Sequence, residues 1–576
     1  MRTGRTVPAA LAVAAALVVA TGQPALAVER TDYTVLVEDG ASRDAAVAAI
    51  AAAGGEVTRE NKAVGLLTVT APKTGFAQRV SASDAVLGAA AVRPLGSAAP
   101  GRGKSNRDMR VVERENEATA GVPGTAAKKK PSPTPAAGLD PLDDKLWGLK
   151  LVRSDLARDR QPGDKRVSVG ILDTGIDGSH PDIAPNFDKA RSRNFTVDLP
   201  TDEAGNEVDG PCEFRGCVDP ADWDDDGHGT HVAGTIGAAA NGFGVSGVAP
   251  GVTLVNIRGG QDSGYFFLQP VVDALTYGAD IGLDVINMSF YVDPWYYNCA
   301  ANPADSPEAQ LTQRTAIAAV TRAINYAHRK GVTLVAAGGN NHEDLGNPRP
   351  DATSPNFPTG AAYPRTIDNK SCVHLPTESD HVLAISSLGP SGLKADYSNY
   401  GTEQTDLSAP GGYFRDYFGT DRYRTNENSI RSTYPRNVAL AAGAIDAAGN
   451  VTPAGEAAGV AKYCQGATCG YYQYLQGTSM AAPHASGVAA LVVSQYGRKD
   501  RAHPGTLTLD PDKVAKVLVK TATQRPCPTP RTVSYENVGR SPEFTATCVG
   551  DTRFNGFYGH GIVDAFGAVT RGGDFL

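Results

Sequence analysis

The 576-residue chain is as informative for what it lacks as for what it holds. It has no CxxC pair, and its first cysteine is Cys212, so a zinc cluster of cysteines is not indicated. No long basic stretch interrupts a mildly acidic chain of net charge −8, which gives no footing for nucleic-acid binding. Beyond the N-terminal segment no run of about 18 uninterrupted apolar residues occurs, so no membrane anchor is expected. His228 and His231 form an HxxH pair, but no third ligand is indicated. "DWDDDG" (222–227) starts like a calcium-binding EF-hand loop, yet the position for its bidentate glutamate, 233, is alanine.

What is present divides the chain into four parts. Arg2 and Arg5, an apolar run from Ala9 to Ala20 and then Ala25-Leu26-Ala27 read as a secretory signal over 1–27. Residues 28–96 read as a small α+β unit. "YTVLVED" and "GLLTVTAP" alternate like strands, and "RDAAVAAIAAAGG" reads as a helix ending at glycine. Residues 97–139, with "AGVPGTAAKKKPSPTPAAG", are too polar to offset ordering entropy and read as an exposed linker. From 140 to 576, apolar strand runs ("RVSVGIL", "VTLVNIRG", "LDVINMSF", "VTLVAAGGN", "HVLAISSLG") alternate with helical patterns. That alternation predicts an α/β fold with a doubly wound, mainly parallel sheet, functional groups gathering at the carboxyl ends of its strands. Asp173, Asn287 and Asn340 fall at or near such ends.

Eight cysteines after residue 200 suit an oxidising, extracellular compartment. Cys212/Cys217 and Cys464/Cys469 have the spacing of small bridged loops; Cys527 with Cys548 and Cys299 with Cys372 would complete a set. Spacing alone does not fix the connectivity.

Ser479, in "QGTSMAAPH", opens an apolar helical run; Pro483 fits a first turn. A serine there is either a helix cap or a nucleophile at the positive end of a helix. His228 opens another helix, facing outward, and His231 one turn further in reads as structural. Asp173 ends a buried strand. A serine hydroxyl is a poor nucleophile until a neutral imidazole takes its proton, and that imidazole needs a carboxylate to set its tautomer.

In order, "DTGID", "HGTHVAGT", "INMS", "AAGGN" and "GTSMAAPH" make the chain from about 140 to 576 resemble the subtilisin-like serine proteases, or subtilases. The resemblance implies that Asp173 orients, His228 is general base then acid, Ser479 attacks, and Asn340 donates to the oxyanion beside the Ser479 N–H. It implies a peptide or protein substrate held near Ser289, Phe290, Tyr291, Ala337, Gly338, Gly339 and Ala362, with an apolar primary pocket. The acids Asp222, Asp224, Asp225 and Asp226 would favour a basic neighbouring residue if they face the cleft. Residues 28–96 resemble the family's inhibitory propeptide, implying a secreted, self-processed zymogen that acts as a monomer. A structural Ca2+ is implied at Asp182, Asn241, Ala239, Phe243, Val245 and Asp143, the backbone positions through carbonyls. Phe290 and Tyr291 depart from the family's Gly-Gly, and insertions at about 365–381 and 413–474 put the substrate in doubt. The rival expectation is a secreted pseudo-protease that only binds peptides.

Overall fold

The computed structural model describes residues 1, 29–92, 111–118 and 140–576. The expected signal over 1–27, apart from Met1, lies outside the described residues, as does most of the expected linker.

The first unit carries strands β1 (Arg30–Val37), β2 (Glu56–Asn61), β3 (Leu66–Pro72) and β4 (Val86–Ala91) with helices α1 (Arg43–Ala52) and α2 (Phe76–Val80). The sheet is antiparallel in the order β2-β3-β1-β4. Ser42 caps α1 by accepting from Ala45 N at 3.1 Å. One face of the sheet closes over Tyr33, Val35, Ile50, Leu67, Val69 and Phe76. Alternation then sends Leu36, Val64 and Leu66 the other way, into the core of the larger unit.

That unit is built on a seven-stranded parallel sheet. Its strands are β5 (Ser168–Leu172), β6 (Arg193–Asn194), β7 (Thr253–Arg258), β8 (Val285–Met288), β9 (Thr333–Ala337), β10 (Val382–Leu388) and β11 (Leu407–Pro410), in the order β11-β10-β9-β8-β5-β7-β6. All are buried on both faces except β6, as parallel sheets covered by helices require. Covering helices include α3 (His228–Gly237), α4 (Leu268–Asp280), α5 (Pro307–Arg329) and α6 (Thr478–Tyr496). The doubly wound α/β class expected from the sequence is what forms.

The small unit sits on α4 and α5. Asn61 Nδ2 donates to Asp273 and Thr276 at 2.8 Å each, and Arg322 Nη1 donates to Val37 O at 2.8 Å. Helix α5 starts at Pro307, where Ser306 caps it through Ala309 N and Pro307 occupies its first position.

The 413–474 insertion folds as an antiparallel sheet of β12 (Ile430–Tyr434), β13 (Ala461–Gln465) and β14 (Thr468–Leu475), in the order β12-β14-β13. It leans on α3 through Ser432 Oγ to His231 O and Thr433 Oγ1 to Thr230 O, both 2.7 Å. Four disulfides join Cys212–Cys217, Cys299–Cys372, Cys464–Cys469 and Cys527–Cys548. Among the described residues no helix is long and apolar enough to cross a membrane.

Candidate active site

Three strand ends and two helix starts converge on one point. Asp173 follows β5 and is fully buried; its Oδ1 accepts from His228 Nδ1 at 2.7 Å and from its neighbour Thr174 N at 2.8 Å. His228 is the first residue of α3. Its start is built by Asp224, which accepts from Gly227 N (2.9 Å), Thr230 N (3.0 Å) and Thr230 Oγ1 (2.6 Å). Gly227 has φ 95°, a turn that favours glycine, and a Cβ there would lie 2.9 Å from the Tyr434 ring.

Ser479 is the second residue of α6. Pro483 lies inside this helix, beyond the first turn to which the sequence reading confined it. Proline cannot donate to the carbonyl four residues back, which is that of Ser479. Ser289 Oγ donates to that carbonyl instead, at 3.0 Å, and Asn287 Nδ2 holds Ser289 at 2.9 Å. The break in the helix ladder is thus satisfied from the end of β8. Asn340, just past β9, has its Oδ1 fixed by Thr478 N and Thr478 Oγ1, both 2.9 Å, which leaves Nδ2 aimed at the cleft.

The expected linker is not solvated throughout. Val111–Ala118 enters the cleft, and Glu113 is 3% exposed. One Glu113 oxygen lies 3.6 Å from His228 Nε2; the other accepts from Asn340 Nδ2 at 3.4 Å. Ser479 Oγ meanwhile has its partner in Ser289 O, at 3.4 Å. Burial alone would depress His228, but the carboxylates of Asp173 and Glu113 on its two sides outweigh that and push it up to about 10. His231 is held by the Ile430 and Gln473 carbonyls at 3.1 and 3.2 Å, and burial pushes it down to about 3. It is a structural histidine and not half of a metal pair.

A subtilase family model matches residues 164–561. The chain belongs to the subtilase family. Subtilisin DY of Bacillus licheniformis is 27% identical over 350 residues, 61% of this chain and 85% of that protein. The major intracellular serine protease of Bacillus subtilis (strain 168) is 27% identical over 350 residues, 60% of this chain and 74% of that one. Among solved structures, an epidermin leader peptide processing serine protease from Staphylococcus aureus superposes with TM-score 0.58 at 20% identity, covering 94% of this chain and 98% of its own. Fervidolysin from Fervidobacterium pennivorans gives TM-score 0.52 at 18% identity, covering 94% and 61%. These two likenesses bear on the fold. The subtilase is a serine-type endopeptidase.

The expected calcium ligands of this subtilase divide into oxygens with protein partners and one without. Asp143 spends its carboxylate on Arg158 Nη1 (2.8 Å), Ser246 N (2.8 Å), Ser246 Oγ and Asp140 N (3.2 Å). Asn241 Oδ1 accepts from Phe243 N at 2.9 Å, while Asn241 Nδ2 points to Pro181 O at 3.0 Å. Asp182 Oδ2 accepts from Val245 N (3.0 Å) and Tyr472 OH (2.7 Å). Ala239 meets Asp182 through its N–H, 2.7 Å from the Asp182 carbonyl. Protein donors thus take up the Asp143 carboxylate and Asn241 Oδ1, whereas Asp182 Oδ1 is buried without a hydrogen-bond partner and remains an oxygen of the kind a hard cation takes.

The acidic run is likewise turned inward. Asp222 pairs with Lys189, Asp225 accepts from Trp223 Nε1 and Asn437 Nδ2 (2.6 Å each), and Asp226 accepts from His228 N at 3.1 Å. Asp224 and Asp226 thus organise the start of α3, while Asp225 is held by Trp223 and Asn437 and Asp222 by the exposed Lys189. In the substrate region, Phe290 stacks on Phe266 (centroids 4.1 Å apart) and Tyr291 OH accepts from Asn356 Nδ2 at 2.8 Å; both side chains are buried. Ala337 and Gly338 are buried beside β10, Gly338 N donating to Ile385 O at 2.9 Å. Gly339 (φ 99°) lies against Tyr296, whose hydroxyl would be 2.9 Å from a Cβ there. Ala362 is half-buried, next to Tyr363, whose N–H donates to Ser354 O. Glu113, Tyr296, Arg415 and Arg540 carry no motif in the sequence, and only the fold brings them together; Gln476 opens the "QGTSMAAPH" stretch but had no role assigned to it.

Proposed function

We propose that this subtilase is a secreted zymogen whose processed form cuts peptide bonds through an acyl-enzyme. Ser479 Oγ attacks the scissile carbonyl and its proton passes to His228 Nε2. Asp173 Oδ1 holds the Nδ1–H and stabilises the imidazolium. Asn340 Nδ2 and the Ser479 N–H, at the positive end of α6, take up the oxyanion charge. His228 then protonates the leaving amine. Water deprotonated by the same imidazole attacks the ester, and the acid product departs.

The observation that carries this reading is the Glu113 carboxylate between His228 Nε2 and Asn340 Nδ2. A carboxylate spanning the base and the oxyanion donor sits as the acid product of acyl transfer would sit. The same contact supports latency: the precursor's own segment fills the reacting position while the small unit is docked on α4 and α5. Its backbone is helical over 115–118, which offers no extended bond there to the serine. Four disulfides support an oxidising destination.

The test is a fluorophosphonate probe on purified precursor and processed enzyme. Rapid labelling at Ser479 of the processed form, slow labelling of the precursor and none of Ser479→Ala is the expected pattern. Ser479→Ala precursor should also keep its N-terminal unit. Absent labelling of a folded, processed protein would refute the nucleophile, and equal labelling rates would refute the latency.

A further inference from the structure

Two residues along the same segment, a second carboxylate enters a site made wholly by the larger unit. Glu115 Oε1 accepts from Arg415 Nε at 2.5 Å, and its Oε2 accepts from Arg540 Nη2 at 2.8 Å and Gln476 Nε2 at 3.0 Å. The three donors come from the 413–474 insertion, the residue three before Ser479, and the C-terminal region.

Each donor is also fixed by a bond that does not involve the segment. Arg415 Nη1 donates to Val538 O. Arg540 Nε donates to Asp396, at 2.5 Å, and Asp396 is fully buried. Gln476 Oε1 accepts from Phe414 N at 2.6 Å. Removal of residues 111–118 therefore leaves the three donors aimed at the point Glu115 held. With Glu115 in place both arginine side chains are under a fifth exposed, and its removal leaves two guanidinium groups facing one carboxylate, Asp396. A partly buried, preorganised cation pair with a net positive charge favours an incoming carboxylate and rejects an amine. Gln476 N also donates to Glu113 O at 3.1 Å, so this wall lies within two residues of the reacting position.

We infer that Arg415, Arg540 and Gln476 form a specificity subsite that recognises an acidic side chain at one fixed position flanking the scissile bond of the substrate. The inference rests on the proposed endopeptidase reading. It assigns to the 413–474 insertion the selection of substrates, and it makes Glu115 an occupant that precursor and substrate exchange. The recognised group is a carboxylate of Glu or Asp in a peptide, read bidentately by Arg415 and Arg540.

The experiment uses processed enzyme and matched fluorogenic peptides carrying Glu, Gln or Lys singly at each of the three positions on either side of the cleaved bond. At one position kcat/KM for Glu should exceed that for Gln by about tenfold, and Lys should fall below Gln. Arg415→Gln should bring the Glu/Gln ratio at that position near one, and Arg415→Glu should move the preference to Lys. Arg540 also anchors Asp396, so Arg415 is the variant that reads the subsite without disturbing that buried pair. Fluorophosphonate labelling of each variant reports a folded site. Glu/Gln ratios within about twofold at all six positions, in wild-type enzyme that labels and cleaves, would overturn the subsite alone. A wild-type protein that neither labels nor cleaves would overturn the endopeptidase reading instead.

Discussion

Two of the places where this molecule brings buried carboxylates up against arginine differ in who owns the carboxylate. At the corner formed by Asp143, Asp182 and the 238–250 loop, every partner belongs to one packed body: Arg158 meets Asp143, and Tyr472 meets Asp182. In the cleft, Arg415, Arg540 and His228 meet Glu115 and Glu113, which belong to a segment flanked by long connections. A charge neutralised by its own body is a structural element. On the proposed zymogen reading, a charge neutralised by a segment that leaves is open to another carboxylate afterwards.

Breaking the corner should have the largest effect on stability. Arg158 and Asp143 side chains are 8% and 1% exposed, so Arg158→Ala leaves a buried carboxylate without its cation. The expected loss is about 3–5 kcal/mol in unfolding free energy, read by denaturant or thermal melts. A loss below about 1 kcal/mol would mean that the corner is held by other contacts.

In the cleft, Asn340→Ala should lower kcat by about 10² to 10³ with little change in KM, the magnitude known for one oxyanion donor of a subtilisin. Since Asn340 also anchors Thr478, Asn340→Asp is the control that keeps an acceptor there while losing the amide donor. Steady-state kinetics on processed enzyme check both. Unchanged kcat in the alanine variant would remove the side chain from the mechanism.

The latent state should respond to pH. His228, raised to about 10 by Asp173 and Glu113, holds its proton more tightly with the segment docked than an ordinary histidine does. Asp173 stays beside His228 when the segment leaves, so only the part of the rise that Glu113 supplies is docking energy; it is fully present below the value His228 has without Glu113 and is lost as pH climbs through about 10. Between those limits Glu113 should let go progressively, and precursor labelling by the fluorophosphonate should accelerate, by about tenfold or more if the charge-assisted contact is typical. Glu113→Gln should label fast already at pH 7 with a flatter profile. A pH-independent rate in wild type would separate the segment from control of the serine.

Much of this could be read from the chain itself, for definable reasons. Asp173, His228, Asn340 and Ser479 carry short-range signatures: a strand end, a helix start, a glycine where backbone approaches. The parallel sheet announced itself through unbroken apolar strands. Glu113 and Glu115 had no such signature, because a stretch rich in Gly, Pro and Lys on either side of them reads as solvated and their partners lie some 115 to 425 residues away in sequence. Asp143 shows the converse failure. The resemblance implied it as a calcium ligand, but Arg158, fifteen residues on, supplies the positive charge beside it, and no local pattern tells a guanidinium from a metal.

The gentlest test separates those two at the corner. Burial pushes Asp182 up to about 7, against the pull of Val245 N and Tyr472 OH, and Asp140 and Asp143 add to the rise. An acid whose folded value lies above its ordinary 3.8 binds an extra proton in the native state, so stability falls as pH rises from about 4 to about 7. Asp182→Asn removes that ionisation while keeping an oxygen for Val245 N. Without a cation, the variant should melt at the same temperature or a few degrees higher than wild type at pH 8, converge with it near pH 4, and show no response to a chelator. If calcium did occupy the corner, the carboxylate would be its anchor. The same substitution would then lower the melting temperature at pH 8 and abolish a chelator effect visible in wild type. The sign of the shift at pH 8 decides whether the corner is closed by protein alone.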